Sequence, residues 1–437
     1  MNPESLKEGQ AEVAVIGGGI VGCATAYNLA RRGVKVVLLD KGRWGDEQSS
    51  RNMGAVRQQA RDPVETPLMM ECIRIWKELS AELEADIDWV QGGNMGLAAS
   101  EAELATFEEA LRIARDFGLD TRLLTPAQVR EMVPLMASSW HGALFTASDG
   151  HASPAKTSAA FAAAAERAGA VLEPHCAVEG FEVTGGKVSG VQTGKGFLKT
   201  DTVVCAAGAH SYKLARMVGL NLPIRVVRST VAETAPLPLI SKSNIWGDGF
   251  VIRQLPSGHV HLNFHSTRAG EYDITLDSFR HLRLFLPIYL GNRTLLRVKF
   301  GRPFFQDLAR RMPWSGARKH PFAHTVGVEP ATNPRTVERC RVTFRTHFPS
   351  LGEVPIERTW AGNIDCTPDL LPVLGPVPEP KGFYFATGFS GHGFAMGPLM
   401  GRLMAQWLLD GKTSFDLKPM RYTRFAEGDL RIPKNLI

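Results

Sequence analysis

The chain has 437 residues, 44% hydrophobic and 22% charged, with 50 Lys+Arg against 44 Asp+Glu and a formal charge of +6. This composition excludes a disordered or fibrous chain, and the length predicts two or three domains. The surplus is local: ten basic residues stand between Arg280 and His320 against the single acid Asp307, and no nucleic-acid motif accompanies them, so nucleic acid is not the expected partner.

Residues 13–30 are apolar, but four glycines interrupt them and acids (Glu4, Glu8, Glu12) precede them, which argues against a signal or membrane segment. Val13–Ile16 is a continuous apolar run of the kind a strand buried on both faces carries. It leads into Gly17, Gly19 and Gly22 in a GxGxxG, then a predicted helix over 23–32, Gly33, a second strand over 34–39 and Asp40. Gly17 suits the tight turn, Gly19 the approach of a pyrophosphate, and Gly22 close helix packing. A helix N-terminus offers free N–H groups to that anion, and Asp40 is placed to accept from a ribose hydroxyl pair. Strand, glycines, helix and terminal acid together predict a dinucleotide site.

Later segments bear on which dinucleotide. Residues 200–211 predict a buried strand ending in the small-residue turn Ala206-Ala207-Gly208, residues 367–375 read TPDLLPVLG, and 383–401 give a strand, the run TGFSGHGF and a helix containing Gly397 and Gly401. The six cysteines (Cys23, Cys72, Cys176, Cys205, Cys340, Cys366) show no CxxC pair, which argues against a zinc, iron–sulfur or disulfide framework and for a reducing, cytoplasmic setting.

In these four ordered motifs the chain resembles the FAD-dependent D-amino-acid oxidase superfamily, in its sarcosine oxidase and glycine oxidase branch, from about residue 11 to about 418. The resemblance implies an α/β chain: a Rossmann-like FAD-binding domain built from 10–85, 150–220 and 350–437. An α+β substrate domain with a mainly antiparallel sheet is interleaved through 86–149 and 221–349, with a basic insertion at about 271–345. It implies FAD contacts at Gly17, Gly19, Ile20, Val21, Gly22, Asp40 and Lys41, and at Ser49, Ser50, Asn52, Met53 and Gly54 in the segment beside the flavin. Further contacts are implied at Val178, at Ala206, Ala207 and Gly208, at Gly362 and Asp369, and along Gly391, His392, Gly393, Phe394, Ala395 and Met396. The helix after Gly393 would aim its N-terminal amides at the flavin pyrimidine carbonyl, where a helix dipole favours negative charge.

The implied chemistry is oxidation of a small secondary or D-amino acid by hydride transfer from its α-carbon to flavin N5, giving an imine that hydrolyses. Because the flavin does the hard step, the expected protein groups are carboxylate anchors rather than a catalytic triad. Arg57 and then Arg61 are the candidates, since a guanidinium holds a carboxylate bidentately; Arg57 on FAD or a nearby acid is the alternative. Arg253 sits on an alternating strand and points either into the active site or to solvent. His259, His261 and His265 share a strand face; no carboxylate joins them in the sequence, so a substrate pocket, with His265 as a catalytic candidate, or a merely polar face is expected rather than a metal site. His392 is placed near the ring or as a structural histidine.

The departures from the branch matter. Its substrate-binding lysine falls at Ala395 and its oxygen-activating lysine at Val260. The cysteine of covalent attachment falls at Gly362, with Cys366 out of register, so non-covalent FAD is expected. The histidine carrying FMN at a subunit interface falls at Pro154, three residues from His151, which leaves FMN open. A dehydrogenase subunit passing electrons to a partner protein or a quinone is implied, most like heteromeric sarcosine-oxidase-like, opine or hydroxyproline dehydrogenases. The alternatives are a non-catalytic FAD relay subunit, an oxygen-using amine oxidase and, from the glycine motif alone, an NAD enzyme. Residues 282–305 mix apolar runs with arginines and allow three uses: docking an acidic partner subunit, contact with an anionic membrane surface, or a solvated helical face. The apolar stretch 282–290 is too short to span a bilayer.

Overall fold

The computed structural model describes residues 9–264, 269–316, 322 and 325–431. Val13–Ile16 is buried along its whole length and lies within a six-stranded sheet. The sheet runs Val373–Pro376, Phe383–Thr387, Val203–Cys205, Val13–Ile16, Val36–Leu39, Val171–Glu173, parallel except for the edge strand Val373–Pro376. Alternation divides its side chains between two cores. Val13, Val15, Val36 and Leu38 join a core with the helices Ile20–Ala30, Thr66–Glu82, Pro154–Arg167 and Gly393–Asp410. Ala14, Ile16, Val37 and Leu39 join a second core under a small sheet of Gly9–Gln10, Gly196–Lys199, Lys187–Thr193 and Val178–Thr184.

The first helix begins at Ile20, inside the glycine motif and three residues before the predicted start. Close packing explains the glycines. A Cβ at Gly22 would stand 1.8 Å from Gly17 O, and one at Gly401 would stand 2.4 Å from the Ala24 carbonyl carbon, where Gly393–Asp410 crosses Ile20–Ala30.

A ten-stranded, mainly antiparallel sheet forms the other layer. Arg225–Thr234 is its hub, pairing with Val260–Phe264, with Gly270–Asp273, and along Ile356–Cys366. Strands Asn94–Ala98, Thr121–Leu124 and Gly142–Thr146 extend it through Asn244–Gly247 and Phe250–Gln254. Cys340 and Phe344 of the helix Pro334–His347 pack on this sheet. The α/β expectation holds, with parallel strands beneath helices in one layer and an antiparallel sheet in the other. Strand Ile356–Cys366 lies within the stretch expected to serve the cofactor unit, yet it belongs to the larger sheet.

Candidate functional site

The cavity that the glycine motif opens onto follows from local geometry. Gly17 adopts φ 109°, and a Cβ there would stand 2.4 Å from Ala206 O, so the turn after Val203–Cys205 sits directly against the motif. Helix Ile20–Ala30 has Gly19 as its N-cap with no side-chain cap. Its Ile20 N–H donates to Ser49 Oγ at 2.9 Å. Asp40 accepts the N–H groups of Gly18 and Gly42, each at 2.6 Å, one on each carboxylate oxygen. Burial raises its pKa against the pull of those N–H groups. Each oxygen keeps a lone pair for a ribose hydroxyl.

At the other end, Gly391 (φ 95°) turns the chain into helix Gly393–Asp410, whose N-cap His392 also gives no side-chain cap. Two helix N-termini whose own N-cap residues give no side-chain cap thus border one cavity of about 650 Å³, a volume typical of a cofactor site. One end is suited to a pyrophosphate and the other to a ring that gains negative charge.

Residues unforeseen in the sequence lock this frame. Gln48 Oε1 accepts from Ala209 N at 2.7 Å while its Nε2 donates to Asp365 Oδ1 at 2.9 Å, and Asp365 Oδ2 accepts from Gly388 N at 2.8 Å. Three turns of the cavity wall therefore share two side chains. Glu47 joins Lys41 and accepts from His210 at 3.0 Å; burial pushes its carboxyl up, but His210 and Lys41 prevail and hold it at about 2. The C-terminal part of the basic insertion forms a further part of the wall: Phe322 and Thr325 to Glu329 line the cavity. Lys41 Nζ donates to Thr325 O at 3.3 Å, His210 meets the Phe322 ring edge-on, and Arg51 stands 3.7 Å from Glu329.

Beside the Gly393 helix start lies a cluster of charges. His392 Nδ1 is 3.0 Å from Glu65, whose side chain is 2% exposed. Arg57 Nη1 donates to Gln59 O at 2.8 Å and Arg61 Nε to Arg57 O at 3.2 Å. Arg61 Nη1 is buried and has no hydrogen-bond partner among the described residues. Burial, and then Arg61, lower Arg57 to about 9. Burial pushes Glu65 up, but His392, Arg61 and Arg57 hold it below the usual carboxylate range. Asp149, wholly buried, accepts from Gln58 N at 2.9 Å and Gln59 N at 3.2 Å, which fixes the backbone just after Arg57.

A comparison with known families names the cofactor: the family described as DAO, FAD dependent oxidoreductase, matches residues 12–407. The chain belongs to it. It is 26% identical over 423 residues to mitochondrial sarcosine dehydrogenase of Homo sapiens, covering 95% of this chain but 41% of that one. It is also 26% identical over 441 residues to sarcosine oxidase subunit beta of Arthrobacter sp, covering 98% and 94%. Among solved structures, L-proline dehydrogenase from P. horikoshii superposes with a TM-score of 0.80 at 27% identity, over 97% of this chain and 100% of that one.

In this FAD dependent oxidoreductase the expected cofactor residues divide into two groups. Gly17, Gly19, Ile20, Val21, Asp40, Lys41, Ser49, Ser50, Asn52, Val178, Ala206, Ala207, Gly208, Gly391, Gly393 and Phe394 line the cavity. Others sit behind its wall. Gly22 packs on Gly17, Gly362 on Arg51, and Met396 lies in the core. Ala395 O accepts from Trp76 Nε1 at 2.8 Å.

Several expectations need correcting. Asp369 does not line the cavity: both its oxygens accept from Arg424, at 2.8 and 2.9 Å, in a wholly buried bidentate pair. Arg253 points neither to solvent nor into the cavity. It is 1% exposed and donates from Nη1 to Met53 O at 2.5 Å, packed where a Cβ on Gly54 would collide with it. Met53 and Gly54 therefore serve the seating of Arg253. The two described histidines of the strand face do meet carboxylates: His261 reaches Glu233 at 2.8 Å and His259 reaches Glu357 at 3.4 Å. His265 lies outside the described residues. His151 is 1% exposed and bridges Val90 and Ala55 through its backbone.

Proposed function

We propose that this FAD dependent oxidoreductase oxidises the C–N bond of a small secondary or D-amino acid, with FAD held non-covalently, as a dehydrogenase subunit that passes electrons to a partner. The observation that carries this reading is the cluster beside the Gly393 helix start. There two largely buried guanidiniums, Arg57 and Arg61, stand together with one donor nitrogen left over. A substrate carboxylate is the complement of that arrangement. When bound, FAD supplies the oxidising power by taking a hydride from the substrate α-carbon.

The chain's own residues hold and orient. Arg57 and Arg61 anchor the carboxylate, Asp149 fixes the loop that presents Arg57, and Glu65 fixes the His392 ring at the helix N-terminus. Burial, with Arg61 and Arg57 nearby, lowers the His392 pKa despite Glu65, which suits a neutral imidazole next to a substrate amine. The amides at the start of Gly393–Asp410 favour negative charge beside them.

Non-covalent attachment is supported by Cys366, whose thiol burial pushes up to about 12 and so keeps unreactive. The position of the oxygen-activating lysine supports a dehydrogenase, since Val260 is fully buried in the sheet core. Likeness to a sarcosine dehydrogenase, to a sarcosine oxidase subunit and to a proline dehydrogenase supports a secondary amine and an assembly. Six free cysteines support a reducing, cytoplasmic setting. Among the described residues no helix is long and apolar enough to cross a membrane.

The test is anaerobic. Purified yellow protein mixed with sarcosine, proline, hydroxyproline or an opine should lose its flavin absorbance with at least one of them. Bleaching by none would remove the amino-acid reading. Reoxidation in air as fast as turnover would remove the dehydrogenase part.

A further inference from the structure

The helix Leu282–Asn292 has the sequence LRLFLPIYLGN and buries only Phe285, whose ring lies under the Arg225 guanidinium at 4.5 Å. A surface helix ordinarily turns its apolar stripe inward. Here Leu282, Leu286 and Leu290, spaced by four, stand exposed at 55%, 45% and 55%, beside the exposed Tyr289. The same stretch of chain exposes Phe279, Phe300, Phe305 and Trp314, the last at 83%. Nine of the sixteen large apolar side chains exposed among the described residues lie between Phe279 and Trp314. This concentration marks a surface built to be covered.

Among the described residues, the charge left outside ion pairs between Phe279 and Trp314 has one sign. Arg283, Arg293 and Arg302 are exposed, and no described carboxylate forms an ion pair with them. The acid of the segment, Asp307, is already taken by Arg311 and by the Leu276 N–H. Leucines, aromatic rings and a tryptophan mixed with unpaired arginines match the headgroup–acyl boundary of a bilayer, where apolar side chains enter and guanidiniums meet lipid phosphates. The helix is also too short to span.

We propose that the insertion is a monotopic docking face for an anionic lipid surface, with the Leu282–Asn292 helix lying in the plane of the headgroups. The whole FAD-loaded chain should sediment with mixed phosphatidylglycerol–phosphatidylcholine vesicles, stay in the supernatant with phosphatidylcholine alone, and be released by salt as screening grows. L286E/L290E should abolish sedimentation. R283A/R293A should lower the partition coefficient roughly tenfold or more, as expected for two cations near an anionic surface. Both variants should keep the wild-type flavin spectrum and thermal midpoint, since the substituted side chains are exposed. Failure to sediment with either vesicle, equal sedimentation with both, or wild-type binding by both variants would overturn the proposal. Binding to soluble polyglutamate without binding to vesicles would also overturn it, in favour of an acidic protein surface.

Discussion

Arg61 carries a buried Nη1 without a partner among the described residues, and a buried donor left unmade costs about 1–3 kcal/mol. A ligand oxygen at that nitrogen removes the cost. Arg61→Met, and Arg57→Ala beside it, should therefore raise KM for the amino acid roughly tenfold to hundredfold, the range for charge-assisted hydrogen bonds. Flavin should stay bound, and steady-state kinetics with flavin counted per chain checks both points. Flavin lost at unchanged KM would assign these arginines to the cofactor instead.

Asp149 makes a separate prediction. Burial raises it from 3.8 to about 7 against the pull of the Gln58 and Gln59 N–H groups and of Arg57 and Arg61. The folded state thus holds a proton that the unfolded chain releases earlier, and stability from this group falls as pH rises from about 4 to about 7. Asp149→Asn removes that slope. Its thermal midpoint should lie furthest below wild type near pH 4, and the gap should narrow toward pH 7. A gap that widens with pH would contradict the assignment.

These two residues also show where sequence stops informing. Arg57 is legible because it follows a recognisable segment, whereas Asp149 reaches the same loop from 91 positions away in sequence. Glu65 meets His392 across 327, and only the folded chain brings such partners together.

At the scale of elements, the glycine-bearing helices were readable and their partners partly so. Strand Val13–Ile16 and the helix after it follow from local pattern, because buried parallel strands and glycine turns carry their own signatures. Arg253 was readable only as lying on a strand. Alternation fixes which face a side chain takes, not that the Met53–Gly54 backbone will cover that face. Asp369 lies in a motif of the cofactor region yet binds the C-terminal Arg424.

Two predictions belong here. Gly401→Ala places a methyl against Ala24, so it should cost about 1–3 kcal/mol by overpacking and loosen FAD, since both helices involved open onto the cavity. Thermal unfolding with a flavin-release assay reads both effects. Arg424→Ala leaves Asp369 buried and uncompensated and should cost roughly 3–5 kcal/mol, whereas the pair Arg424→Met with Asp369→Asn should cost clearly less. Equal losses in denaturant titrations would mean that the ion pair is not what holds the terminal segment.

For the molecule as a whole, the +6 charge resolves into an insertion with its own geometry. The chain spans about two fifths of the length of the mitochondrial sarcosine dehydrogenase it matches. Within this chain the insertion is not an appendage, because Phe322 and Thr325 to Glu329 are wall residues of the cavity onto which the glycine motif opens. Thermodynamic reciprocity follows. Whatever FAD contributes to ordering that wall, a ligand ordering the insertion from outside must return to FAD as tighter binding. Cofactor loading should therefore slow tryptic cleavage within the arginine-rich insertion, and the surface that captures the insertion should lower the flavin Kd by the same factor by which FAD tightens that capture. The cavity and the insertion that walls it are thereby joined as two ends of one equilibrium.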